Sequence, residues 1–105
     1  MPNLQYAFTA LGDATRRTIF EKLEKGPLAV VDIARKLPVT RPAVSQHLKV
    51  LMEAGLVTVH QKGTRRLYEI DPRGVMMMRN YLDKLWDAAL DGFKAAAEKE
   101  ESENK

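Results

Sequence analysis

The chain has 105 residues, 45% of them apolar and 30% charged, the balance of one soluble globular domain with a modest core. It contains no cysteine, which excludes disulfides, thiolate metal sites and thiol redox sensing. No apolar run reaches transmembrane length and no signal-peptide core is present, so the protein is expected to remain in the cytosol.

The net charge of +3 is spread unevenly. Residues 1–75 hold twelve Lys/Arg against seven Asp/Glu, whereas residues 76–105 hold five against seven. Within 35–66 seven basic residues (Arg35, Lys36, Arg41, Lys49, Lys62, Arg65, Arg66) meet one acidic residue, Glu53. A clustered cationic surface suits a polyanion bound through counterion release, although a solvated basic face without a partner has the same composition.

In chain order, residues 4–11 place Leu4, Ala7, Phe8 and Leu11 at i, i+3, i+4 and i+7, which predicts a short amphipathic helix ended by Gly12. Asp13 is the cap of a second helix that runs to the stop at Gly26-Pro27, with Ile19, Phe20 and Leu23 as its buried stripe. Arg16 and Arg17 fall in its first turn, where the helix dipole disfavours cations. They are expected to be solvated or salt-bridged, with a phosphate contact as the alternative. Residues 30–37 predict a third helix without a strong cap, since Ala29 precedes it. Leu37-Pro38-Val39 is then a turn.

Residues 38–55 carry the chemistry. Thr40 is an N-cap, Pro42 sits in the first turn, and Gly55 is a C-terminal stop. Val44, Leu48 and Leu51 share one stripe, while Pro42, Ser45, Gln46, Lys49 and Glu53 lie opposite. Gln pairs with adenine, Ser contacts several bases, and Lys reaches guanine or phosphate. An ordinary amphipathic surface helix would show the same division of faces. Two short helices, a tight turn and a basic second helix match a helix-turn-helix. The segments LVTVHQ and RRLYEI flank Lys62-Gly63-Thr64 and predict a hairpin over roughly 56–70. With Lys62, Arg65 and Arg66 at its tip, the hairpin reads as a wing beside the recognition helix. The same cations would also guard an exposed strand edge.

Asp71-Pro72 restarts a helix that can run to about Glu98. Its stripe is Val75, Met78, Leu82, Leu85/Trp86, Ala89 and Phe93, longer than one small domain can cover. Pairing of the terminal helices across a two-fold axis, through Leu4, Phe8, Leu82, Leu85, Trp86, Ala89 and Phe93, would bury it. The alternative is packing on its own domain. Residues 1–97 are thus read as one DNA-binding and dimerisation domain, and 98–105 as a charged flexible tail.

Other chemistry is weak. Ser45 and His47 point to different sides of a helix and cannot act as a nucleophile and base. His47 is better read as a packed or backbone-bonded histidine than as a ligand, and His60 as exposed or touching phosphate. Asp83, Asp87 and Asp91 read as a solvated ladder, with a cation across a dimer axis as the remote alternative. Of Met76, Met77 and Met78 at most two can be buried. No phosphate loop, paired catalytic carboxylates or nucleophile constellation is present, so no enzyme is read.

The order of these elements resembles the ArsR-type winged-helix transcriptional regulators over about residues 4 to 95. Leu11-Gly12-Asp13-Ala14-Thr15-Arg16-Arg17 looks like that family's opening "LGDPTR" segment. Arg41-Pro42-Ala43-Val44-Ser45-Gln46-His47-Leu48-Lys49-Val50-Leu51, followed by Ala54-Gly55-Leu56-Val57, looks like its recognition helix and first wing strand. Lys62-Gly63-Thr64-Arg65-Arg66 with Tyr68 looks like its wing. The resemblance implies a homodimeric repressor of the bacterial type that binds double-stranded DNA and is released by a signal. Metal-sensing members carry cysteines before the recognition helix, or histidines and carboxylates on the last helix. Here the first position reads Val30-Val31-Asp32-Ile33-Ala34, and no histidine follows His60. The chain is therefore similar to the metal-independent branch, whose members often sit beside a gene for a lipid- or hydrophobic-ligand-binding protein.

The expectation is a mainly α protein with a two-stranded β-hairpin, a winged helix-turn-helix forming a homodimer through its terminal helices. Ser45, Gln46 and Lys49 would read bases, helped by Arg41 and Pro42. Thr40, Lys62, Arg65 and Arg66 would hold phosphates or the minor groove. No cofactor or metal is expected, and the inducer is open. A winged-helix interaction module that has lost specific DNA binding is the alternative.

Overall fold

Three of the helices begin where a short polar side chain holds an orphan amide of the first turn. Asn3 accepts from the Tyr6 N–H at 3.1 Å and starts α1, Leu4–Gly12. Asp13 accepts from the Arg16 N–H at 2.8 Å and starts α2, Ala14–Lys22. Thr40 Oγ1 accepts from the Ala43 N–H at 3.2 Å and starts α4, Arg41–Glu53. The computed structural model describes residues 3–103.

Between α2 and α4, the second helix tightens into a 3₁₀ turn at Leu23–Lys25 before Gly26. Helix α3 is Val30–Arg35, shorter than the expected 30–37. Pro38 disfavours helical backbone at Leu37, and the end closes through Lys36 N–H to Ile33 O at 3.1 Å. Ala29 has no side-chain cap to offer. The carboxylate of Asp32 compensates by accepting the Ala29 N–H at 3.3 Å.

Gly55, at φ 78°, stops α4. The chain then forms an antiparallel hairpin of β1, Val57–Lys62, and β2, Arg65–Ile70, with Val57 opposite Ile70 and Lys62 opposite Arg65. Gly63 takes φ 65° in the two-residue turn, where a β-carbon would be strained. A second, short pairing does not follow from the sequence pattern. Leu28 N–H donates to Tyr68 O at 2.9 Å, and Tyr68 N–H to Leu28 O at 2.8 Å. The wing is therefore bonded along β2 to the segment before α3.

The core lies among α1, α2, α3, α4 and the hairpin base. Ile19, Ile33, Val44, Leu48, Leu51 and Leu56 are its largest fully buried side chains. Each contributes about 1.5–3 kcal/mol by leaving water. On α1 the buried positions are Ala7 and Ala10, while Phe8 stays 36% exposed and meets Tyr81 edge-on at 5.6 Å. Small residues there let α1 approach the core closely.

Helix α5, Pro72–Glu103, projects away, and the molecule measures 72 × 27 × 22 Å. It passes the expected end near Glu98, so the charged segment is helical through Glu103 rather than frayed. Ala95, Ala96, Ala97 and the following Glu and Lys residues are strong helix formers. Asn104 and Lys105, assigned to the same tail, lie outside the described residues. Met77 and Met78 pack against the core and Met76 does not. Val75, on the long stripe expected to exceed what one domain covers, is 40% exposed.

Asp71 is buried at the root of α5. Its Oδ1 accepts from Arg73 N–H at 3.0 Å and Nε at 3.1 Å, and its Oδ2 from Nη2 at 2.9 Å. Next to it Gly74 packs on the end of α4, where an added β-carbon would lie 2.1 Å from the Gly55 carbonyl oxygen.

Two predictions follow from this root. Gly74→Ala should destabilise by at least about 1–3 kcal/mol, the usual range for overpacking, because the obstacle is backbone. An unchanged melting temperature would show that the two helices separate at no cost. The Arg73 side chain, first of all, holds the Asp71 carboxyl below its ordinary value. A depressed carboxylate stabilises the fold above its unfolded value near 4 and loses that contribution as pH falls through its folded value. Asp71→Asn should therefore cost about 1 kcal/mol at neutral pH, a typical cap loss, with the difference from wild type closing in acid. Melting curves at pH 7 and in stronger acid would test it.

Candidate nucleic-acid interface

Three buried residues orient α4. Val44, Leu48 and Leu51 are fully buried, which turns the other side of the helix outward. Arg41, Pro42, Ser45, Gln46, Lys49 and Glu53 are all exposed. The outward face thus combines a hydroxyl, an amide and two cations, with Ala43 half-buried beside them. Thr40 is exposed at the start of the helix. Its oxygen caps Ala43, and its own O–H proton can still donate to a phosphate.

The packing behind α4 includes two arginines whose role differs from expectation. Arg16 and Arg17 pair with neither carboxylates nor solvent alone. Arg16 Nε donates to Ala10 O at 2.8 Å, and Arg17 Nη1 donates to Leu11 O at 2.7 Å. They satisfy the last carbonyls of α1, where a cation also complements the helix dipole. Arg16 Nη1 lies 3.4 Å from Nδ1 of His47 on α4. A guanidinium cannot accept, so this contact fits a neutral ring with Nδ1 as acceptor. His47 is half-buried, as its place at the edge of the buried stripe suggested, but its partner is the Arg16 side chain rather than backbone.

Lys62, Arg65 and Arg66 are exposed at the tip of the wing. They are not equivalent. The guanidinium of Arg66 lies 6.0 Å from the Tyr68 ring centroid. Arg65 Nη2 forms an ion pair with Asp32 Oδ2 on α3. His60 Nδ1 lies 3.4 Å from Glu69 Oε1 across the strands, with both side chains about half exposed. Sequence reasoning found the wing cations but missed Asp32. The available signal was an acidic residue three positions after an uncapped Ala29, a place that faces the helix N-terminus.

The expected apolar surface of α5 is also in place. Leu82 is 52% exposed, Leu85 50%, Trp86 63% and Phe93 75%, and Ala89 is exposed. Leu4 is half-buried on α1. The single domain leaves this stripe uncovered, against the alternative that α5 packs only on its own domain. The Asp83 carboxylate is 3.9 Å from Arg79 Nε with both side chains largely exposed, the arrangement of a solvated ladder. Among the described residues no group of three or more His, Cys, Asp or Glu is placed to hold a metal ion, and no helix is long and apolar enough to cross a membrane.

Comparison with known proteins adds four findings. The profile of a family described as bacterial regulatory protein, arsR family, matches residues 13–59, from the cap of α2 into β1. The HTH-type transcriptional regulator Rv2034 of Mycobacterium tuberculosis is 56% identical over 87 residues, covering 83% of this chain and 81% of that protein. The transcriptional repressor SdpR of Bacillus subtilis is 31% identical over 81 residues, covering 73% of this chain and 90% of that protein. The solution structure of the homodimeric winged helix-turn-helix DNA-binding domain Mb0332 of Mycobacterium bovis, a possible ArsR-family regulator, aligns with a TM-score of 0.66 at 27% identity, covering 80% of this chain and 78% of that one. The chain belongs to the arsR family of bacterial regulatory proteins and is a DNA-binding transcriptional regulator built on a winged helix-turn-helix.

Proposed function

We propose that the protein is a homodimeric, metal-independent repressor that acts in the cytoplasm on an inverted-repeat operator. The observation that carries the dimer is the uncovered stripe of Leu82, Leu85, Trp86 and Phe93 on a projecting helix. Exposed apolar contiguity of this kind marks an interaction surface. With Ala89, and with Leu4 and Phe8 of α1 beside it, the stripe forms a self-complementary face for a two-fold pair. The homodimeric relative supports this arrangement, and the relative named as a repressor supports the sign of regulation.

In this reading Ser45, Gln46 and Lys49 contact base edges in the major groove, and Arg41 and Pro42 lie at the start of the helix. Thr40, Lys62, Arg65 and Arg66 contact phosphates or the minor groove. Two-fold symmetry places the half-sites about one helical turn apart, or a multiple of it. The protein carries out no catalysis and needs no cofactor.

Selection from a random duplex library, followed by affinity measurements against salt, tests the whole reading. An enriched inverted repeat with steep salt dependence is the expected result. Weak binding without an enriched sequence would overturn it. Gln46→Ala should cost roughly 1–3 kcal/mol and relax preference at one base position; an unchanged profile across operator variants would remove Gln46 from base reading. Trp86→Glu should yield a monomer in sedimentation and lose most operator affinity, since it places a charge where each copy buries an aromatic ring. A dimer that persists unchanged would move the interface elsewhere.

A further inference from the structure

The wing is fastened to the helical body at two levels. Its base is held by the paired backbone bonds between Leu28 and Tyr68. Near its tip, among the described residues, the fastening is one side-chain contact, Arg65 to Asp32. Asp32 Oδ2 thus serves two donors, the Arg65 guanidinium and the Ala29 N–H that opens α3. The Asp32 side chain is 26% exposed and that of Arg65 is 57% exposed. The pair therefore sits at the surface beside the basic face, where a DNA phosphate could compete for the same cation.

This contact has a consequence for binding. A cation paired with a carboxylate is locally neutral and has no condensed DNA counterion to displace until it changes partner. A guanidinium has five donors, and Asp32 engages one Nη2 edge of it. Transfer to a phosphate is therefore easy only where the phosphate is presented in the right place. On operator DNA the recognition helix fixes the register of the backbone against the wing. On other DNA nothing does.

We infer that Asp32 is a positioning residue that holds Arg65 in the free protein and sets the cost of the wing's phosphate contact: a duplex gains Arg65 only by displacing it from Asp32. The inference rests on the DNA reading proposed above.

Asp32→Asn tests it cleanly, because the amide oxygen can still accept the Ala29 N–H while the charge is gone. The full chain and its variants are titrated with a random duplex and with the selected operator across a salt series, with melting curves as a folding control. Asp32→Asn should tighten random-duplex binding about two- to fivefold, the range of an exposed ion pair. Its salt slope on random DNA should steepen by about 0.9, one further phosphate contact. Operator affinity should rise at least as much, because the wild-type chain reaches the operator phosphate only after breaking the Arg65–Asp32 pair. In an Arg65→Ala background the same substitution should bring no gain and no change of slope.

Three results would overturn the role: unchanged affinity and slope on random DNA, a gain on random DNA larger than that on the operator, or a gain that persists without Arg65. A wild-type chain that selects an operator while Asp32→Asn changes nothing sinks the role of Asp32 alone. A wild-type chain that selects none sinks the DNA reading, and this inference with it.

Discussion

The close approach of Gly74 to the Gly55 carbonyl is the constraint on which the other parts depend. At this corner the end of α4, the base of the hairpin and the root of α5 meet within a few residues. Gly55 turns the chain out of α4 with a positive φ of 78°. The Asp71 N–H closes the hairpin base on Leu56 O at 2.8 Å. Gly74 then lets α5 lie directly on backbone, leaving no room for a β-carbon. The element that reads DNA, the element that flanks it and the element that projects are thereby fixed to one another by backbone contacts, which deform far less than side chains do.

Around this corner the charged groups divide into two kinds. Some are consumed by the architecture: Asp13 caps α2, Arg16 and Arg17 hold the last carbonyls of α1, and Asp71 with Arg73 roots α5. Others are left on the outward face, with Arg41 and Lys49 on α4 and Lys62 and Arg66 on the wing. Arg65 belongs to both kinds, since its exposed side chain is held by Asp32. Counting charge in the sequence treats these groups alike. The geometry separates cations that support the fold from cations that can meet a polyanion.

What could be read from the sequence was what is decided locally. The caps at Asp13 and Thr40, the stop at Gly55 and the turn at Gly63 depend on neighbours a few residues away, and each is found where expected. The buried stripe of α4 followed from helical spacing alone. The misses share one cause, contact between residues far apart in sequence. Leu28 pairs with Tyr68 without any strand pattern of its own. Arg16 and Arg17 looked misplaced in the first turn of α2 because the carbonyls they hold belong to α1. Gly74 inside a helical segment was a hint of close approach, but its partner could not be named without the fold. For the face proposed to meet DNA, sequence supplied the exposed residues and their chemistry, and the structure added the carboxylate paired with one of them.

The rigid corner has a consequence for how such a regulator can diversify. The outward side chains of α4 support no core packing, and the exposed stripe of α5 lies on a different helix. In the proposed reading, changes at Ser45 or Gln46 would alter the sequence preferred without disturbing which chains pair, and changes at Leu82, Leu85 or Trp86 would alter the choice of mate while the alphabet read by α4 stays the same.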